Sequence, residues 1–398
     1  MNTKVATSNP PVRLASIDAY RGLVMFLMLG EVLHLCGVSA ALPNSGFWAF
    51  LCHHQSHVTW VGCSLHDLIQ PSFSFLVGVA LPFSIASRQA KGSSFGSMLG
   101  HAVWRSLALV LLGVWIRSIG RPETNWTFED TLSQIGLGYI FLFLLGLRSV
   151  KVQWIVFGVV VFAYWLAFAL YPVPGPDFDW SRVGVAADWN HHASGFAAHW
   201  NKNTNLAWAF DTWFLNLFPR EKEFLRNGGG YSTLSFIPTL ATMLLGLLAG
   251  GWLKSDSKPR EKIVRFAIAG AIGIGVGLVL NATGLCPNVK KIWTPAWVFF
   301  SGGWCFLFLG FFYALIDVRN SKAWAFPLFV VGANSIFAYC SEWLFVGFIR
   351  RSLNTHLGKD TFLLFGEPYR GLFEGACVLL IIWLLLLWLY RKKVFIRI

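Results

Sequence analysis

Residues 53–78 read HHQSHVTWVGCSLHDLIQPSFSFLVG and pass without a break from a histidine-rich polar loop into an apolar run. The run continues to residue 87, so the segment 68–87 is long enough to cross a bilayer. A spanning helix needs about 20 apolar residues, because each rises 1.5 Å through a hydrocarbon core about 30 Å thick. Pro71 falls in the first turns of that helix, where a missing N–H costs little. Asp67 stands at its threshold, where a carboxylate is expected to cap backbone N–H groups and meet the positive end of the dipole. Working outward, comparable runs lie at 20–38, 101–118, 132–147, 153–171, 232–253, 263–281, 296–316, 324–348 and 372–390. The expected fold is therefore an all-α polytopic membrane protein, a single domain over 1–398 with about ten transmembrane helices in one bundle.

Composition points the same way. Of 398 residues 55% are hydrophobic and 13% charged, and mean hydropathy is +0.56, whereas soluble domains carry about 25% charge. A water-soluble enzyme and a disordered chain are both excluded. The net charge of +13, from 32 basic and 19 acidic residues, would suggest nucleic acid in a soluble protein; here it reads as topology, with no nucleic-acid partner. Nineteen basic residues, Lys4, Arg13 and Arg397 among them, fall on the N-terminus, the even-numbered connections and the C-terminus. The opposite set holds eight, once the five in the long 172–231 connection are set aside, since only short loops report orientation reliably. Both termini are thus expected in the cytoplasm of a multi-pass protein of the cell (inner) membrane, surrounded by lipid. The connections at 39–67 and 172–231 are expected outside. The first dozen residues show no cleavable signal pattern.

That orientation puts every histidine except His101 outside or in the outer half of a span. His34, His53, His54, His57 and His66 fall within 33 residues, and imidazole is costly in lipid and titrates near neutral pH. Wetted loop side chains are the bland account of this clustering. Asp67 can also orient a nearby imidazole, as carboxylates do for catalytic bases. Glu31 and His34, three residues apart in the first span, share a helix face, and Glu342 lies in the ninth span; carboxylates there face the bundle interior or water. His53, His54, His57 and Asp67 could be drawn together round a metal, but no H-E-x-x-H pattern is present and no metal is expected. Cys305, Cys340 and Cys377 read as small apolar residues, while Cys52 and Cys63 flank the histidine loop on the oxidising side, so a disulfide between them is open. The 172–231 connection, with YPVPGPDFDW at its start and NGGGY at its end, suits an irregular lid whose Trp residues either stack on sugars or anchor at the interface.

With these residues in view, the sequence resembles the membrane-bound acetyltransferases typified by heparan-α-glucosaminide N-acetyltransferase, a transmembrane acyltransferase family with bacterial relatives. SIDAYRG at 16–22 is similar to the family's opening block. His57, Trp60, Gly62, Asp67, Leu68, Pro71, Phe73, Phe75 and Gly78 fit its most specific one. VWRSL at 103–107, the Trp-Thr within 291–297 and GANSIFAY at 332–339 follow in order. The resemblance implies acetyl transfer from cytosolic acetyl-CoA, as co-substrate, to an amino sugar or glycan on the far side of the membrane. It implies His57 as base or acetyl carrier, with Asp67, Glu31 and His34 in the catalytic group. Arg21, Arg105, Asn334 and Ser335 are then expected around the acetyl-CoA, and Asn334 additionally as an oxyanion donor. Two departures stand out: Glu31-Val32-Leu33-His34 where the family carries an Asn, and Gln134 where it carries an arginine. A proton-coupled transporter using Glu31, His34 and Glu342, and a non-enzymatic scaffold of the same fold, are the alternatives. N- versus O-acylation, and assembly as a homodimer, are left open by the sequence.

Overall fold

The computed structural model describes residues 14–396. Lys4, Arg13 and Arg397, which entered the charge count, lie outside them. The regular structure of the described residues is all helical, with one isolated bridge, Val61 to Val289, in place of any sheet. In chain order the α-helices are α1 (Ala15–Leu29), α2 (Leu35–Ala41), α3 (Gly46–Gln55), α4 (Ile69–Ala90), α5 (Phe95–Ser118), α6 (Thr131–Gly146), α7 (Val150–Ala169), α8 (Leu206–Phe214), α9 (Phe236–Lys254), α10 (Pro259–Ala282), α11 (Pro295–Phe312), α12 (Phe326–Ala333), α13 (Ser335–Leu344), α14 (Val346–Leu357) and α15 (Arg370–Arg391).

Each of the ten apolar runs coincides with helix, but not each is a straight span. Seven helices are long and apolar enough to cross a membrane, and two bent pairs bring the number to nine. The first pair joins α1 and its terminal turn to α2 at 41°, where His34 adopts a left-handed conformation at φ 50°. The second joins α12 to α13 at 67°, at the non-helical Asn334. The run at 132–147 forms α6, only 16 residues long. Apolar composition reports neither bend, because both runs remain hydrophobic on either side of the break.

α9 is the central helix, with 78% of its apolar window buried, while α10 and α15, at 17% and 22%, form the periphery. α9 lies hard against α4 because both lack side chains at the crossing. A Cβ on Gly246 would fall 1.9 Å from the Phe75 carbonyl oxygen, and one on Gly78 1.9 Å from that of Met243. Small residues let helix backbones approach in this way, which matters in lipid because apolar burial no longer drives association. The same device docks α15 on the short turn Gly30–Leu33 that carries Glu31: a Cβ on Gly375 would fall 1.9 Å from Val32 O.

The two long connections are folded as well. The first contains α3, and the second contains α8 and packs down as a lid. Trp200 is fully buried, and its carbonyl accepts from Trp60 Nε1 at 3.2 Å, joining the lid to the 57–64 segment. At least this tryptophan is therefore a core residue, neither a sugar platform nor an interfacial anchor.

Candidate active site

The site begins with the way residues 56–67 fold back on themselves. Asp67 does not cap α4. Its Oδ2 instead accepts from Val58 N (3.2 Å), Ser64 N (3.0 Å) and Ser64 Oγ (3.0 Å), closing the segment into a tight curl. The competing donors sit in the loop before the helix, so the N-cap expected of Asp67 is replaced by loop bonding. Oδ1 is left for His57, whose Nδ1 lies 2.8 Å away.

A third group completes the pair. The Val61–Val289 bridge and the Gly62 N–H bonded to Asn288 O draw the segment before α11 against the loop. Lys290 Nζ arrives 3.3 Å from Asp67 Oδ1 and 3.0 Å from His57 Nδ1. Lys290 is buried, and removal from water pushes its pKa down against the opposing pull of Asp67. His57 Nδ1 cannot donate to Asp67 and accept from Lys290 at once, since it has one in-plane position. The shorter contact and the full carboxylate favour donation to Asp67, with Lys290 donating to the same oxygen. Nε2 then carries the free lone pair and makes no hydrogen bond among the described residues. The His57 side chain is 40% exposed, yet its pKa is lowered, first by desolvation and further by the Lys290 charge, against the raising effect of Asp67. At neutral pH the ring is an unprotonated base with one face open.

Around it lies a second histidine. His66 stands 4.5 Å from His57 between ring centroids, and its Nε2 contacts Glu31 Oε1 at 2.7 Å. The Glu342 carboxyl lies close enough to that of Glu31 for the two to interact, so the carboxyls of the first and ninth runs share one locus. Glu31 therefore partners His66 and not His34. The left-handed turn at His34 directs its imidazole to Arg350, 2.6 Å from Nε2, and separates it from the His57 group. His54 Nδ1 accepts from Leu65 N (3.1 Å), a loop-fixing role. Among the described residues no three His, Cys, Asp or Glu side chains converge as metal ligands. Cys52 pairs with Cys36 and not with Cys63, which is free; the α2–α3 hairpin brings Cys36 close, whereas Cys63 is held in the Asp67 curl.

At the other end of α4 opens a cavity of about 590 Å³. Arg21, Arg105 and Ser335 line it, with Phe73 and Leu76 of α4 towards its interior. Arg21 pairs with Asp18 (3.4 Å), and the Arg105 guanidinium lies 4.6 Å over the Tyr139 ring, with Nη1 donating to its hydroxyl at 3.1 Å. Asn334 does not line the cavity. Its Nδ2 donates to Val394 O (3.0 Å) and its Oδ1 accepts from Ile396 N (2.9 Å), so the amide is taken up in holding the 394–396 segment. The oxyanion role expected of Asn334 has no support in this geometry. Gln134, at the position of an expected arginine, is buried and accepts from Gln70 Nε2 (3.2 Å) and Thr239 Oγ1 (3.0 Å).

Lys290 is the residue that sequence reasoning missed. The signal was weak but present: a lysine pair directly before an apolar run, on the side where basic residues are scarce.

No family model matches the sequence. Two curated proteins do, both heparan-alpha-glucosaminide N-acetyltransferases. The one from Homo sapiens is 24% identical over 424 aligned positions, covering 97% of this chain and 60% of its own length. The one from Mus musculus is 26% identical, over 82% of this chain and 53% of its own. The chain thus spans little more than half the length of the curated relatives it matches. The aligned region takes in nearly every element described above, so the chain is similar to the heparan-alpha-glucosaminide N-acetyltransferases over almost its whole length.

Proposed function

We propose that the protein is a transmembrane acyltransferase that moves an acetyl group from acetyl-CoA, bound in the Arg21–Arg105 cavity, to an amino sugar or glycan at His57. The observation that carries this reading is the use of one helix by both ends. Phe73 lines the cavity, and Asp67, less than two turns earlier in the chain, holds His57. A pantetheine arm entering beside α4 would therefore deliver its thioester towards the imidazole. The donor set suits such a co-substrate: guanidinium groups make charge-assisted bonds to phosphates, and the cavity walls are otherwise largely apolar.

Two courses fit the site. In the first, Nε2 takes a proton as the acceptor amine attacks the thioester carbonyl; a C–N bond forms, the C–S bond breaks, and the departing thiolate recovers a proton from the imidazolium. In the second, Nε2 itself attacks and the C–S bond breaks; the acceptor amine then attacks the acetyl carbon, the C–Nε2 bond breaks, and the amine's proton passes by way of the freed Nε2 to the thiolate. Asp67 holds the tautomer in both and stabilises the positive ring that forms. In this reading the His57 end faces away from the cytoplasm, in keeping with the excess of basic residues at the other end and with the Cys36–Cys52 disulfide, which persists in oxidising compartments. Termini on the cytoplasmic side, from ten crossings, belong to the same proposal.

Purified protein incubated with acetyl-CoA and glucosamine should release CoA and form N-acetylglucosamine, measured by mass spectrometry. His57→Ala should lower the rate at least about 100-fold, the smallest effect typical of losing a general base. Undiminished turnover in that variant would remove His57 from the chemistry. Uptake of the sugar into vesicles without any CoA release would favour a transporter instead.

A further inference from the structure

Arg21, Arg105, Arg350 and Arg370 are each engaged by a neighbour: Asp18, Tyr139, Glu374 and Glu367 in turn. Lys322, Arg391 and Lys393 are not. All three are exposed, and none makes an ion pair or a side-chain hydrogen bond among the described residues. They surround a cavity of about 720 Å³ between the start of α12 and the end of α15, beside the first residue of α1. That volume lies within the range of small-ligand sites. Asp18 is the one carboxylate among the described lining residues, and Arg21 lies 3.4 Å from it. The other wall is aromatic. Phe326 and Phe329 of α12 and Tyr390 of α15 form it, with Phe326 and Tyr390 6.1 Å apart between ring centroids.

Three helix ends meet here, so the cavity lies at the level where the helices leave the hydrocarbon core. Phe326 is exposed and α15 is one of the least buried spans, so the aromatic wall faces the surroundings of the bundle. No residue of α4 lines the cavity, unlike the Arg21–Arg105 cavity, so a molecule bound in it lies off the path towards His57. Positive-inside anchoring accounts for the side on which these cations stand, but not for their convergence, without partners, on a cavity with an aromatic wall. We infer that this cavity is a site for an anionic phospholipid, with the phosphate and headgroup among Lys322, Arg391 and Lys393 and the upper part of an acyl chain along Phe326, Phe329 and Tyr390. Basic pockets at the cytoplasmic ends of spans recognise anionic headgroups by charge, and aromatic rings settle at headgroup level. Asn334 holds the 394–396 segment from within the bundle, and the lipid would hold the residues just before it, Arg391 and Lys393, from outside. A bilayer around the helices is the one requirement; no acyl transfer need occur.

The test adds phosphatidylglycerol, or phosphatidylcholine with the same chains, to full-length protein in a neutral detergent and follows lipid adducts by native mass spectrometry together with the melting temperature. Phosphatidylglycerol should form adducts and raise the melting temperature through linkage, and phosphatidylcholine should do neither. The triple variant Lys322→Gln, Arg391→Gln, Lys393→Gln should lower the apparent affinity for phosphatidylglycerol by at least about tenfold, since each cation at the membrane surface adds to the attraction. Without lipid it should melt with the wild type, because the three side chains are exposed and unpaired. A second triple variant, Lys254→Gln, Lys258→Gln, Arg260→Gln, removes the same charge from exposed positions of another connection expected on the same face, and should bind as the wild type does. Equal losses in the two variants, or no loss in the first, would mean a diffuse attraction to basic surface and overturn the site. Two further compounds fix the ligand. Glycerol 3-phosphate giving the same stabilisation as phosphatidylglycerol would assign the cavity to a soluble phosphate ester. A first variant that loses stabilisation by CoA but keeps that by phosphatidylglycerol would assign it to the nucleotide. Either result overturns the lipid assignment.

Discussion

What the neighbours of His57 do to its two nitrogens suits the role proposed for it. Asp67 fixes Nδ1, while burial, helped by the Lys290 charge, lowers the pKa of the ring. The sign follows directly. Removing the Lys290 charge removes a contribution that lowers the pKa of His57, so the pKa should rise. In the proposed mechanism activity needs the neutral ring, so the acidic limb of the kcat/KM profile in Lys290→Met should move to higher pH, while Lys290→Arg should leave it in place. Asp67→Asn removes a contribution that raises the pKa and should shift the limb the opposite way, along with a loss of rate from the unfixed tautomer. Identical profiles for wild type and Lys290→Met would mean that the lysine only fills space. His57 and Asp67 were legible in the sequence because they lie ten residues apart in one block. Lys290, 233 residues from His57, was not, since a long-range bridge of Val61 to Val289 brings it there and no local pattern encodes such a pairing.

Among the elements, α9 shows how closely the packing is specified. Gly250 and Gly251 are adjacent, yet a Cβ on Gly250 would lie 2.4 Å from Val79 O of α4, whereas one on Gly251 would meet nothing within 4 Å. Gly250→Ala should therefore push the two central helices apart and destabilise by about 1–3 kcal/mol, the usual cost of overpacking. Gly251→Ala should be neutral or stabilising by up to about 1 kcal/mol through helix propensity. Thermal unfolding in detergent distinguishes them, and equal melting temperatures would show that α4 and α9 do not pack as described. All ten apolar runs could be read from composition because lipid demands helices of that length and polarity. The bends at His34 and Asn334 could not, as each depends on distant partners: Arg350 for the first and the chain end at 394–396 for the second. The same limit hid the partners of His34 and Asn334, which sequence spacing alone does not report.

For the molecule as a whole, the reading requires two substrates to reach one imidazole from opposite sides of a bilayer. Arg21 and Arg105 line the cavity at one end of α4, while the Asp67 curl, the Trp60–Trp200 bond and the lid close over the other. CoA should bind only at the first. Added CoA should then raise the melting temperature of the wild type through linkage, and Arg21→Gln combined with Arg105→Gln should abolish most of that rise. Sidedness can be read in sealed proteoliposomes in which one orientation is selected by protease protection of the 254–265 connection. Acetyl-CoA supplied on the side bearing that basic connection, with glucosamine on the other, should give N-acetylglucosamine only in the glucosamine compartment. With both substrates on the 254–265 side, no product should form, because in the proposed reading the acceptor reaches His57 only from the other compartment. Product in that arrangement would mean that acetyl-CoA and acceptor enter by one door, and the chain would then be an ordinary one-sided transferase embedded in a membrane.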